Sequence, residues 1–495
     1  MSKYILAIDQ GTTSSRVFLY DKRGRVVGLG QAPFAQHFPQ PAWVEHDLEE
    51  IWASVEVSAK EALRSAGVPV HEVAGIGVTN QRETVGLWNR QTGKPLAPAI
   101  VWQCRRTADL CEKLKAKKNL EKKVNALSGL WLDPYFSGTK IQWLLQNKDW
   151  RAKAEKGQIC AGTIDTFLLH RLTGGVAFAT DVTNASRTLL MNLKTLNWDD
   201  QLLKIFKIPR ICLPQIQPTS SEFGRSSGTG VFGHGVPILS MVGDQQSALF
   251  GQTAWRKGEV KCTFGTGSFI LLNTGDKPIL SKNRLITTVA WQIKGRKPNY
   301  ALEGGAFVCG AAVQWLRDGL GLISDSKSVE SLAEQVVDTG GVWVVPALSG
   351  LGAPHWRADA RGVILGLSRA TTKAHLARAL LEGMALQNAD ILSAMQSDGN
   401  VKLQSLRVDG GATENSLLMQ MQADFLNTKV LRPKDVETTV RGAAWLAGLQ
   451  AEFWTEKDLQ AMNSGEQTEF LPKLSTKDRR QKLGLWRKAV SHAVL

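Results

Sequence analysis

The sequence predicts an α/β protein of two related domains with a cleft between them. Three observations carry that reading. The N-terminal segment runs strand hairpin, helix, strand; the same hairpin pattern returns at residue 260; and 495 residues exceed what one ordinary core encloses. YILAID at 4–9 reads as a buried strand, QGTTSS as a tight turn, RVFLYD at 16–21 as a second strand, DKRG as a turn and RVVGLGQ at 25–31 as a third strand. Gly11 and Gly24 are expected at positive φ in those turns. Residues 47–66 carry apolar side chains at helical spacing behind an Asp47 N-cap, with Glu50 placed to complete a capping box. VAGIGVTN at 73–80 reads as the next strand.

The stretch VKCTFGTGSFILLNTG at 260–275 repeats strand, glycine-rich turn and strand, again with hydroxyls at the tip. This recurrence favours an internal duplication, with a boundary near residue 250 and domains at 1–250 and 251–495. Two further glycine turns, in 302–320 and 406–426, run into amphipathic helices whose first N–H groups would make anion sites.

Composition narrows the classes of function. Hydrophobic residues at 43% and charged residues at 21% describe a folded protein. The 60 Lys and Arg outnumber the 45 Asp and Glu, giving a net charge of +15 that admits nucleic acid or a small anionic substrate. RNP-type aromatics, zinc fingers and a helix-turn-helix signal are absent, so no nucleic-acid partner is expected. Apolar stretches such as 236–243 are too short to span a bilayer, and the N-terminus does not read as a signal peptide, so no membrane insertion is expected. Cys104, Cys111, Cys160, Cys212, Cys262 and Cys309 form no C-x-x-C pair and read as reduced thiols of a cytoplasmic protein. A P-loop is missing. The G-x-G-x-x-G string at Gly228, Gly230 and Gly233 leads into a strand and reads as a surface turn.

The paired hairpins offer a different phosphate cradle. Backbone N–H groups at 11–14 and 265–267, with the hydroxyls of Thr12, Thr13, Ser14 and Thr266, can wrap a triphosphate from two sides. Arg16 stands just past the first tip, where its charge can meet the transferring phosphate. Asp9 ends the first strand and supplies the hard oxygen that Mg²⁺ requires.

Nine segments extend this reading. DQGTTSSR at 9–16, TNQRET at 79–84, VWQCRRT at 101–107, GDQQSALFGQ at 243–252, FGTGSF at 264–269, PALSGLGAPHW at 346–356 and VDGGATEN at 408–415 resemble the glycerol-phosphorylating branch of the FGGY sugar-kinase family. The family's two signature stretches resemble YFSGTKIQWLLQN at 135–147 and the segment at 362–382. The resemblance implies two actin-like (ribonuclease H-like) domains, the use of ATP and Mg²⁺, and conversion of glycerol to sn-glycerol 3-phosphate, the first step of glycerol catabolism. It also implies a homo-oligomer, dimer or tetramer. By position it assigns glycerol to Arg82, Glu83, Trp102, Tyr135, Asp244, Gln245 and Phe269, with Arg82 and Glu83 neutralising each other in the empty site. Nucleotide falls to Thr12, Thr13, Ser14, Arg16, Thr266, Gly310, Gln314, Gly411 and Asn415, where Gly310 and Gly411 would let the ligand lie against backbone. Asp244 becomes the general base, with Asp9 and Arg16 completing the catalytic set. The chain departs from the family wording at EGGAF (303–307), HWRADARG (355–362) and RGAAWLAG (441–448), where Trp445 replaces a Tyr in what reads as the last helix. A pentulose kinase of the same fold and an Hsp70-type ATPase are the rival readings; both share the hairpins but not the hydroxyl-binding set.

Overall fold

Nearly continuous burial along Tyr4–Gln10 and Ser14–Tyr20 fits the N-terminal hairpin's place inside a sheet in the computed structural model, which describes residues 3–494 other than Thr229, Ala358, Ser464 and Glu466. That sheet has six strands in the order Ser220–Ser227, His234–Gly243, Val73–Asn80, Tyr4–Gln10, Ser14–Tyr20 and Val26–Pro33. The second sheet runs Gln467–Phe470, Lys429–Pro433, Ser405–Asp409, Val260–Phe264, Ser268–Gly275 and Asn299–Ala306, with Ile286–Trp291 added outside the last. Both sheets share one plan. The hairpin and third strand are antiparallel, the next two strands are parallel to the first, and one antiparallel strand closes the far edge. Apart from the closing edge strand, the shared strands also follow the same chain order in each half, which accounts for the repeated hairpin and matches the actin-like expectation.

Several local expectations change on inspection. Gly24 turns at φ 73°, but Gly11 stays out of the positive-φ region. Its N–H closes the tip on the Ser14 carbonyl at 3.0 Å, and a Cβ there would press on the same oxygen, so space rather than φ requires glycine. The Leu48–Ala66 helix is capped by Asp47, whose carboxylate accepts the Glu49 N–H. Glu50 does not complete a capping box; it reaches instead to the Ala35 N–H at 3.1 Å and ties the third strand to the helix. Gly304 and Gly305 lie inside the Asn299–Ala306 strand, not in a turn, because Ile391 and the Phe269 ring occupy the space their side chains would fill. The Gly228–Gly233 segment is a turn between two strands, as expected, although Thr229 falls outside the described residues. All six cysteines are buried and unpaired. The helix bearing Trp445, Thr438–Gln450, is followed by two more, Glu456–Asn463 and Thr476–His492, so it is not the last.

Two helices join the halves: Asp244–Gly251, which leaves the first sheet, and Thr438–Gln450, which belongs to the second half yet packs on the first sheet. They cross at glycines. A Cβ on Gly442 would stand 1.9 Å from the Ser247 carbonyl oxygen, and one on Gly251 would stand 2.1 Å from that of Thr438. The Ser247 and Ser240 hydroxyls donate to the Thr439 and Ala443 carbonyls, and Asp409 accepts from Gln252 and Thr438. Each lobe is thus pinned to the other at one backbone-on-backbone crossing.

Because neither helix can retreat from such contact without opening the interface, Gly442→Ala should cost about 1–3 kcal/mol through overpacking. Thermal unfolding measured by circular dichroism checks this, with Gly484→Ala, an exposed mid-helix site where a Cβ meets open space, as a control that should gain up to about 1 kcal/mol.

Candidate active site

Each hairpin tip is held by neighbouring groups. At the first, the Gln81 side chain donates to the Gly11 carbonyl at 3.0 Å, and the Trp102 indole donates to the Thr12 hydroxyl at 3.1 Å. At the second, the Gly265 and Thr266 carbonyls accept from the N–H groups of Cys309, Gly310 and Ala311. The start of the Gly310–Gln314 helix is therefore occupied by its own hairpin, and is not an open anion site. Gly310 is glycine because a Cβ would sit 2.7 Å from the Gly265 oxygen; Gly411 differs, since a Cβ there meets open space. The Ser416–Leu426 helix has likewise lost free donors: Asn415 Oδ1 accepts from Leu418 and Glu330 Oε1 accepts from Leu417. Of the two glycine-led helix starts, neither leaves all its first N–H groups for phosphate. Gln314 stands on the Gly310–Gln314 helix, one turn beyond Gly310.

Arg16 donates to Asp9 Oδ2 at 2.6 Å and pairs with Glu437 at 2.7 Å, so its charge is shared between the first strand and the segment that opens the Thr438–Gln450 helix. Among the described residues no group of three or more acidic, His or Cys side chains could hold a metal ion. The fit for Mg²⁺ is consequently one carboxylate, Asp9, beside a hydroxyl-rich tip. That suits an ion which keeps most of its ligands as water and phosphate oxygens.

The acceptor residues gather around a chain of alternating charges. Asp244 Oδ1 pairs with Arg82 Nε at 2.9 Å. Arg82 Nη1 and Nη2 donate to the two oxygens of Glu303 at 2.6 and 3.1 Å. Glu303 Oε1 also accepts from Arg187 Nη2 at 3.1 Å, and Arg187 Nε donates to Glu83 Oε1 at 2.5 Å. Arg82 and Glu83 lie 4.0 Å apart, so each is neutralised mainly by a residue from elsewhere and not by its neighbour in sequence. The other four members are buried, whereas the Asp244 side chain is 32% exposed. Trp102 forms the wall, edge-on to Tyr135 with ring centroids 5.8 Å apart and to Phe269 at 6.3 Å, and the Tyr135 hydroxyl accepts from Arg82 at 3.4 Å.

Protonation follows from this packing. Burial raises Asp244, and Arg82 and Lys261 oppose that rise. Burial also raises Glu83 against the pull of Arg187 and Arg82. For Glu303 the burial effect is overcome by Arg187 and Arg82, which hold it at about 2. Gln245 accepts from the buried ammonium of Lys261, which burial lowers.

Glu83 adopts φ 60°, a left-handed conformation unusual for a non-glycine residue. Its carbonyl is held by the Ser137 hydroxyl at 3.1 Å and the Lys140 ammonium at 3.3 Å, and Lys140 also donates to the Tyr135 carbonyl at 2.5 Å. Burial lowers Lys140 to about 7. A second support is the segment 181–187. Thr183 Oγ1 accepts from the Gly243 N–H just ahead of Asp244, and Asn184 exchanges amide hydrogen bonds with Asn80 just ahead of Arg82. Arg187, Glu303, Gln246, Lys140, Lys261, Thr183 and Asn184 were not among the sequence candidates. For Glu303 a signal existed: it is a lone carboxylate within an otherwise apolar and small-residue run, NYALEGGA.

Two lobes of repeated topology each contribute a hydroxyl-bearing hairpin, and the chain belongs to the FGGY family of carbohydrate kinases. It matches the family's N-terminal domain over residues 4–251 and its C-terminal domain over residues 260–451. The glycerol kinase of Bdellovibrio bacteriovorus is 57% identical over 493 residues, covering 99% of each chain. That of Carboxydothermus hydrogenoformans is 51% identical, covering 99% of this chain and 98% of its own. The solved structure of Plasmodium falciparum glycerol kinase with ADP superposes with a TM-score of 0.93 at 40% identity, covering 99% and 98% of the two chains.

Glu303 gives the site an acid limit. Its folded value of about 2 lies below its ordinary 4.5, so its stabilisation is complete above about pH 4.5 and is lost as pH falls through about 2. Urea midpoints for wild type and Glu303→Gln, compared from neutral pH downward, should stay a constant distance apart and then converge within that window.

Proposed function

We propose that this protein transfers the γ-phosphoryl group of ATP to glycerol, giving sn-glycerol 3-phosphate, with the domain division near residue 250. The observation that carries the reading is the charge chain whose two ends, Asp244 and Glu83, are acceptors beside the donor Arg82 under an aromatic wall. A triol offers hydroxyls that both donate and accept along a short hydrocarbon backbone. Two carboxylates, one guanidinium and the Trp102, Tyr135 and Phe269 rings complement that pattern, with Gln245 adding an amide.

In the mechanism that follows, Asp244 orients the attacking primary hydroxyl and takes its proton. The first hairpin (Thr12, Thr13, Ser14) and the second (Thr266) hold phosphates through N–H and O–H groups, while Gly310, Gln314, Gly411 and Asn415 bound the nucleotide's far end. Mg²⁺, held near Asp9, neutralises phosphate charge when bound. Arg16 offsets charge on the group in flight, which matters because phosphoryl transfer depends mainly on positioning and electrostatic stabilisation. Trp102 spans both substrates, since it walls the acceptor pocket and donates to Thr12. Support for a cytoplasmic enzyme comes from six unpaired thiols, and no helix among the described residues is long and apolar enough to cross a membrane. The homo-oligomer rests on resemblance and is checked by light scattering.

Asp244→Asn should lower kcat by roughly 10²–10⁴ while ATP binding persists, as expected for loss of a general base. Since the base works ionised and burial raises it, wild-type kcat/KM should climb with pH through an ionisation above the ordinary 3.8 and then level off. Near-normal turnover in the variant removes Asp244 from this role.

A coupled ADP-release assay with glycerol, a pentulose and no acceptor separates the reading from its rivals. Turnover should require glycerol, with slow basal hydrolysis, because closure over a filled pocket excludes competing water. Equal rates with and without glycerol would indicate an ATPase, and preference for the pentulose a different sugar kinase.

A further inference from the structure

The acceptor-facing guanidinium of Arg82 is oriented by a residue from the other half of the molecule. Arg82 follows the Val73–Asn80 strand of the first sheet, and Glu303 lies on the Asn299–Ala306 strand of the second, 221 positions away. We propose that Glu303 is a positioning residue of the acceptor pocket: its carboxylate, supplied by the second half, fixes the Arg82 fork so that the guanidinium serves the acceptor and does not close on Asp244. This inference rests on the acceptor reading given above.

The contacts of the Arg82 guanidinium are the first support. Nη1 and Nη2 donate to Glu303 at 2.6 and 3.1 Å, whereas Nε lies 2.9 Å from Asp244 as an ion pair without hydrogen-bond geometry. The remaining partners of the fork, Gln246 Oε1 at 3.2 Å and the Tyr135 hydroxyl at 3.4 Å, are neutral and longer. A guanidinium binds a carboxylate best through two parallel N–H groups. With Glu303 neutral, Asp244 is the carboxylate already in contact, and a two-pronged Arg82–Asp244 pair would tie up the base and withdraw the donors from glycerol.

Glu303 is itself fixed from three sides. Its Oε1 accepts from Arg187 as well as Arg82, so a rotation that freed one guanidinium would strand the other. In register it stands opposite Leu271 and Ile286, while Phe269 of the pocket wall stands opposite Gly305 on the same strand. The chain then runs from this strand to Gly310, whose N–H holds the second hairpin at Gly265. One short stretch, 303–310, therefore carries the Arg82 anchor, the shelf for Phe269 and the support of the nucleotide hairpin.

The test measures steady-state constants for wild type, Glu303→Asp and Glu303→Gln, with folding checked by circular dichroism. A positioning role predicts glycerol KM rising about tenfold or more in Glu303→Gln and by an intermediate factor in Glu303→Asp, with ATP KM held within about twofold. A folded Glu303→Gln whose glycerol KM stays within about twofold of wild type overturns the proposal, and so does a parallel rise in both KM values. If Glu303→Gln does not fold, Glu303→Asp decides by the same split between glycerol and ATP. Wild type without glycerol-dependent ADP release would instead defeat the acceptor reading, a separate outcome seen before any variant is compared.

Discussion

Five side chains of alternating sign, Asp244, Arg82, Glu303, Arg187 and Glu83, form the interaction on which the rest of this structure depends. An isolated charge taken out of water costs several kcal/mol, and such a chain survives burial only when every member meets an opposite charge at hydrogen-bond distance. Arg82 and Glu83 come from the loop after a strand, Arg187 from a turn and Asp244 from a helix start, all in the first half, and Glu303 from a strand interior in the second. The lobes therefore cannot separate here without exposing unpaired buried charge, and the pocket floor is stiff although its components are far apart in sequence.

The supports around that chain follow from the same requirement. Glu83 takes a strained backbone conformation to present its carboxylate, and Ser137 and Lys140 hold its carbonyl in place. The 181–187 segment braces the loops on either side, through Asn184 to Asn80 and through Thr183 to Gly243. At the glycine crossing of the two connecting helices, backbone meets backbone with no side chain to compress. That fixes the approach of the two halves at this crossing.

Much of the fold was legible because its signals are local. The hairpin, the helix behind Asp47 and the strand at 73–80 follow from periodicity and turn residues within a few positions. Errors arose where a glycine serves distant packing. Gly304 and Gly305 resembled a turn but lie inside a strand, because Ile391 and Phe269 fill the space above them. The helix starts at Gly310 and Ser416 read as open anion sites, yet the second hairpin, Glu330 and the local cap Asn415 take N–H groups there.

The sequence by itself determined the two hairpins, the duplication they imply and the residues gathered in named motifs, since adjacent residues share a turn or a helix face. Only the tertiary structure decided which charges pair. Arg82 and Glu83 are neighbours, yet Arg82 is neutralised by Glu303 and Asp244, and Glu83 by Arg187, 104 positions away. No spacing rule reaches that far, because Coulomb attraction depends on distance through space and on the water excluded around the pair. Both are set only when the two sheets close on each other.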